Sequence, residues 1–130
     1  MTIKANADTV SFSLNEAGMS VDRKVNTRDW YAWNNLMPPK PDDFHVTGWV
    51  EVANPGVDPH LIYRTPQGIN PDIILLDLVL VQKPGVWPQV VVWKQVRYDE
   101  IPSYRNYTLA DIQNNGKSIV QVKVENISAA

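Results

Sequence analysis

The chain has no cysteine among its 130 residues. That excludes disulfide staples, thiolate nucleophiles and zinc or iron–sulfur centres held by cysteine. Charge of one sign is missing as well: 12 Lys and Arg against 14 Asp and Glu leave a net charge of −2. A nucleic-acid interface needs a basic stripe to displace counterions from phosphate, and here the basic residues are scattered, so no nucleic-acid partner is expected. The most apolar stretch, residues 73–82, is about half the roughly 20 residues of a transmembrane helix, so membrane insertion is not expected. Residues 1–10 lack the basic and apolar regions of a secretory signal, which makes a cytoplasmic location the expectation. There is no His-Glu-x-x-His, no Gly-x-Ser-x-Gly elbow and no phosphate loop. The sequons at Asn106 and Asn126 carry little weight without a secretory route.

What remains is an ordinary globular mixture, 44% hydrophobic and 20% charged, at a length that suits one soluble domain over residues 1–130 with a real core. Polar and apolar residues alternate over 9–14, and Met19, Val21 and Val25 repeat that spacing after a turn, which predicts an N-terminal hairpin. Thr27 can cap a short helix over 28–37, stopped by Pro38-Pro39. Residues 44–53 alternate again as a strand. Pro and Gly cluster on both sides of 60–64, which predicts an edge strand. Thr108 can cap a helical turn through Gln113, and 118–126 alternates with Val120, Val122 and Val124 inward. Pro38-Pro39-Lys40-Pro41 is read as a stiff connector. The fold class that follows is mainly β: a single-domain, mostly antiparallel β-sandwich or partly open β-barrel with one or two short helices.

The segments 73–82 and 89–98 read as a central hairpin with Leu80 facing Val91 and Leu78 facing Trp93. That register sets Asp77 beside Lys94, and an ordinary cross-strand ion pair is the favoured reading over a pocket dyad. Both faces of this hairpin are apolar, whereas a strand pair buried on one face alternates, so something is expected to cover the second face. The short helix with Trp30, Trp33 and Met37, an adjoining loop, or a second copy of the chain could do so; a homodimer is therefore a possible partner arrangement.

Candidate chemistry is sparse. His60 with Asp58 or Asp72 could serve a small metal-dependent or acid/base hydrolase, with Glu51 and His45 as the other nearby candidates, but no metal-ligand spacing supports it. No catalytic residue, metal or cofactor is assigned. The tryptophans and tyrosines say more, because flat aromatics give large contact area at low entropy cost and can stack on sugar rings. Trp93 reads as core. Trp30 and Trp33, Trp87 in its Pro-flanked loop, and Tyr104 and Tyr107 beside a possible cleft are the candidate contact residues for an unknown ligand or protein. The leading expectation is a non-enzymatic binding or interaction module that associates with itself. The alternatives are a carbohydrate-binding module using exposed Trp side chains and the His60 hydrolase.

Overall fold

The computed structural model describes residues 25–128, so the expected N-terminal hairpin over 9–25 lies almost wholly outside the described residues. Seven strands follow: β1 (Thr27–Asn35), β2 (Asp43–Val52), β3 (Val57–Tyr63), β4 (Ile73–Gln82), β5 (Val92–Glu100), β6 (Leu109–Asn114) and β7 (Lys117–Ile127). They form one sheet in the order β3-β4-β6-β7-β1-β2-β5. Among the described residues antiparallel pairing dominates, with parallel pairs only at β1–β7 and β4–β6. The two ends of the order approach each other, where Lys94 Nζ of β5 donates to Pro55 O (2.6 Å) and Asp58 Oδ1 (3.0 Å) beside β3. The result is a nearly closed barrel, as the strand spacing and turn chemistry predict.

Its interior follows from the period of two. Phe44, Val46 and Val50 alternate inward on β2, Ile74, Leu76 and Leu78 on β4, and Ala110 and Ile112 on β6, all almost fully buried. Each such large side chain contributes about 1.5–3 kcal/mol by leaving water.

No helix occurs among the described residues, and therefore none long and apolar enough to cross a membrane. The helix expected over 28–37 is β1. Thr27 does not cap a helix; its Oγ1 accepts the indole N–H of Trp30 at 2.9 Å. A bulge replaces the helical phase: Arg28 faces Trp49 and Tyr31 faces Thr47, so β1 holds one residue more than β2 over this interval. Asp29 absorbs it at φ 57°, a left-handed conformation that Asp tolerates better than most residues. The extra residue turns Trp30 inward onto Gly48, where a Cβ would lie only 2.4 Å from the ring. The helical turn expected at 108–113 is likewise a strand, β6, because its Ala110 and Ile112 are needed inward between β4 and β7.

The central hairpin is also corrected. β4 pairs with β3, with Leu80 opposite Pro59, and with β6; β5 pairs with β2, with Lys94 opposite Val50. Asp77 therefore faces Ile62 and Gln113 rather than Lys94, whose partner is Asp58. The connection over 83–91 is longer than the two to five residues of a tight hairpin, and it crosses the β2–β3 turn. There Lys83 N–H donates to Gly56 O (2.8 Å) and Trp87 lies against Gly56. The second face of β4 is covered over its first half only, by the loop before it. The Gln67 amide bonds both N–H and C=O of Leu75 at 2.8 and 2.9 Å. Val79 and Val81, past the end of that cover, are 36% and 45% exposed.

Candidate functional site

Strand alternation that sends Phe44, Val46, Gly48 and Val50 inward sends Asp43, His45, Thr47, Trp49 and Glu51 outward on β2. Register then sets their neighbours. Trp49 lies between Arg28 and Gln95, Thr47 between Tyr31 and Arg97, and His45 between Trp33 and Asp99, with Trp93 beside Glu51. The outward face of β1-β2-β5 thus gathers four large aromatic rings and two arginines. Tyr31 and Trp49 are 40% and 37% exposed.

Three of these rings, Tyr31, Trp33 and Trp93, are organised by their neighbours. Tyr31 stacks on Trp33 (centroids 4.9 Å, 22°), Trp33 meets the His45 ring at 5.0 Å, and the Arg28 guanidinium lies 4.0 Å above the Trp93 ring. Cation–π and stacking contacts of this kind are each worth about 0.5–1.5 kcal/mol at partly exposed sites. They hold the face in one conformation before any partner arrives.

His45 sits between two carboxylates. Its Nδ1 lies 2.5 Å from Asp99 Oδ1, and its Nε2 meets Asp43 Oδ2. Ionised carboxylates only accept, so each contact is a hydrogen bond when that nitrogen carries its proton. Arg97 Nε donates to both oxygens of Asp99 at 2.9 and 3.0 Å. Partial burial pushes the Asp99 carboxyl upward, but hydrogen bonds from His45 and Arg97 with the charge of Arg97 outweigh it and hold the group below the usual carboxylate range. The cluster holds acid and base side by side on a partly exposed face.

A second feature lies at the opposite end of the barrel from the β2–β3 turn. A cleft of about 280 Å³ opens between the β3–β4 loop and the β5–β6 loop, with Tyr63, Tyr104, Tyr107, Arg105 and Ile69 among its walls. Glu100, 4% exposed, anchors one wall. It accepts hydrogen bonds from Tyr98 OH (2.7 Å), Tyr107 OH (2.9 Å) and the Tyr104 N–H (2.8 Å), which satisfies a buried carboxylate without a cation. Burial, and then the hydrogen bond to Glu100, push both phenols well above their ordinary pKa, so they remain donors.

The residues singled out in the sequence fall into separate places. Trp33 belongs to the outward aromatic face. Tyr104 and Tyr107 share the cleft, Tyr104 at 69% exposure and Tyr107 buried. Trp30 packs on Gly48, and Trp87 packs on Gly56 with its indole N–H on Lys83 O (3.0 Å). His60 is exposed on the edge strand β3 opposite Val79. Asp58 beside it is engaged by Lys94 and by Lys83 (3.6 Å), and the Lys94 hydrogen bond leads the effects that lower its pKa. Asp72 stands seven residues along the chain from Val79, roughly 23 Å at strand rise, which separates it from His60. Among the described residues no group of three His, Cys, Asp or Glu side chains is placed to hold a metal ion.

Sequence reasoning missed Tyr31, Trp49, Arg28, Arg97 and Tyr63. The signal was the run Trp30-Tyr31-Ala32-Trp33, whose aromatics favour a strand and which, once extended, puts Tyr31 and Trp33 on one face. Comparison of the chain with protein-family models, with curated proteins and with solved structures finds no match.

Proposed function

We propose that this protein is a non-enzymatic interaction module that associates with a second copy of itself through the outward face of β1-β2-β5. The observation that carries the reading is the gathering of Tyr31, Trp33, Trp49 and Trp93 with Arg28 and Arg97 on one preorganised sheet face. Trp, Tyr and Arg are the residue types that dominate binding energy at protein interfaces. Rings already fixed by stacking lose little entropy on contact. The same face carries Arg28 and Arg97 together with Asp43, Asp99 and Glu51, so it presents both signs of charge to its own copy across a two-fold axis, though Arg97 and Asp99 already pair with each other.

Sugar stacking is less well served. It needs several bare ring faces, whereas Arg28 caps Trp93, and Tyr31, Trp33 and His45 lie against one another, which leaves Trp49 alone. A hydrolase centred on His60 is less well served still, with Asp58 held by two lysines. The size of the face sets the strength. At the ten-residue length of β2, the three strands span roughly 33 by 14 Å, below the ~800 Å² per partner of a standard interface. The dimer is therefore weak, with a dissociation constant of order 100 µM.

Sedimentation velocity from about 10 µM to 1 mM brackets that constant. The wild type moves from monomer to dimer across the series. A Tyr31→Ser, Trp49→Ser double variant that still melts cooperatively stays monomeric, and Val79→Lys, on the exposed strip of β4, dimerises like the wild type. A wild type that is monomeric throughout refutes the proposal. So does loss of the dimer in Val79→Lys with retention in the aromatic variant.

A further inference from the structure

The cleft at the far end of the barrel is separate from the outward face of β1-β2-β5, and its chemistry does not depend on self-association. Two features of its walls define what it can hold. The Tyr63 and Tyr104 rings meet edge to face (5.8 Å, 84°), which leaves a corner where a third flat ring can lie on one ring and against the edge of the other, the arrangement aromatic groups prefer. Arg105 is the one charged residue lining the cleft among the described residues. Its guanidinium matches the fork geometry of a carboxylate.

Both walls are built rather than loose. The β3–β4 loop is fastened by the Gln67 side chain, which donates to Arg64 O (2.8 Å) and Leu75 O (2.9 Å) and accepts from Leu75 N–H (2.8 Å). The β5–β6 loop is fastened by Glu100, by Ser103 N–H on Asp42 O (2.9 Å) and by Ser103 Oγ on Arg105 O (2.6 Å). Glu100 lies behind the Tyr107 wall, held by the Tyr98 and Tyr107 phenols and the Tyr104 N–H, and Arg105 is the charge at the mouth. Ile69, fully exposed on the facing loop, supplies an apolar rim that a bound ring would cover. The volume, about 280 Å³, falls just under the ~300–1,000 Å³ of pockets for drug-sized molecules, so it suits one ring with a short arm.

We infer that this cleft binds a small aromatic carboxylate, with the ring in the Tyr63–Tyr104 corner and the carboxylate on Arg105. Phenylacetate is the probe, because it has one ring, one carboxylate and a single methylene between them. Titration calorimetry or ligand-observed NMR on the full chain gives a dissociation constant of order 1 mM for a ligand this small. Arg105→Gln weakens phenylacetate about tenfold, as expected for loss of a charge-assisted pair, and leaves the weaker binding of neutral phenylacetamide unchanged. Tyr104→Ala weakens both, and Tyr104→Phe restores both. Arg105 is exposed, so its variant keeps the wild-type melting temperature. Glucuronate, a carboxylate on a sugar ring, separates charge recognition alone from recognition of an aromatic ring, and it binds more weakly than phenylacetate. The inference is overturned by the absence of phenylacetate binding up to about 20 mM, by equal affinity in wild type and Arg105→Gln, or by glucuronate binding the more tightly.

Discussion

Replacing Gly48 by Ala adds one methyl group at the point where Trp30 crosses β2. The new Cβ would stand 2.4 Å from one indole carbon and 2.6 Å from two others, against the 3.5–4.0 Å at which carbon atoms rest. The ring must retreat by about 1 Å, yet its Nε1 is bound to Thr27 Oγ1 and its backbone is fixed by the bulge at Asp29. Overpacking of this kind costs about 1–3 kcal/mol. Loss of the Trp30–Thr27 hydrogen bond adds about 1 kcal/mol. The lower entropy of Ala over Gly in a strand returns about 0.5–1 kcal/mol. The net loss is about 1–3 kcal/mol, or roughly 4–12 °C in melting temperature for a chain of this length. Urea and thermal denaturation followed by circular dichroism measure it. A Trp30→Leu change in the Gly48→Ala background frees the space, so the double-variant cycle shows a coupling of at least about 1 kcal/mol. If Gly48→Ala melts with the wild type, or if the two changes simply add, the account of why β1 bulges and why position 48 is glycine is wrong.

Glu100→Ala strands two phenol donors and the Tyr104 N–H in the interior and costs about 3–5 kcal/mol, whereas Glu100→Gln keeps an acceptor and costs about 1–2; urea midpoints that do not differ between the two would remove Glu100 as the anchor of that wall. Asp99 has a folded pKa below its unfolded value near 3.8. Its contribution to stability is accordingly full above that value and is lost as pH falls through the lowered one. The Asp99→Asn variant therefore loses less stability than the wild type on acidification below about pH 4, and parallel acid limbs in the two melting-temperature profiles would contradict this.

Much of the barrel was legible because a period of two is a direct reading of which side chains leave water. β2, β4 and β7 are where alternation or a continuous apolar run places them, and the Pro and Gly clusters mark β3 as an edge strand. β1 was obscured by a single residue. The bulge at Asp29 breaks the alternation between Arg28 and Tyr31, and Trp30 and Trp33 happen to stand three apart in sequence, the spacing of a helix face, while Thr27 and Pro38 imitate its cap and its stop. Long-range pairing was the other hidden term. Apolar runs at 73–82 and 89–98 suit each other as well as they suit their real partners, and only tertiary packing puts β3 and β6 beside the first and β2 beside the second. For the same reason the outward aromatic face was invisible as a unit, because its rows join the consecutive strands β1 and β2 to β5, which is distant in sequence. The cleft was partly visible, through Tyr104 and Tyr107, but Tyr63 joins them only when the barrel closes its end.

The absence of cysteine allows the central claim to be tested at a single introduced thiol. Thr47 lies in the middle of the outward face, between Tyr31 and Arg97, close to any two-fold axis that joins two such faces. With a short bifunctional maleimide at a concentration where the dimer is populated, Thr47→Cys is expected to give a covalent dimer far faster than Asn115→Cys in the exposed β6–β7 turn. Equal, slow cross-linking at the two positions would contradict association through this face.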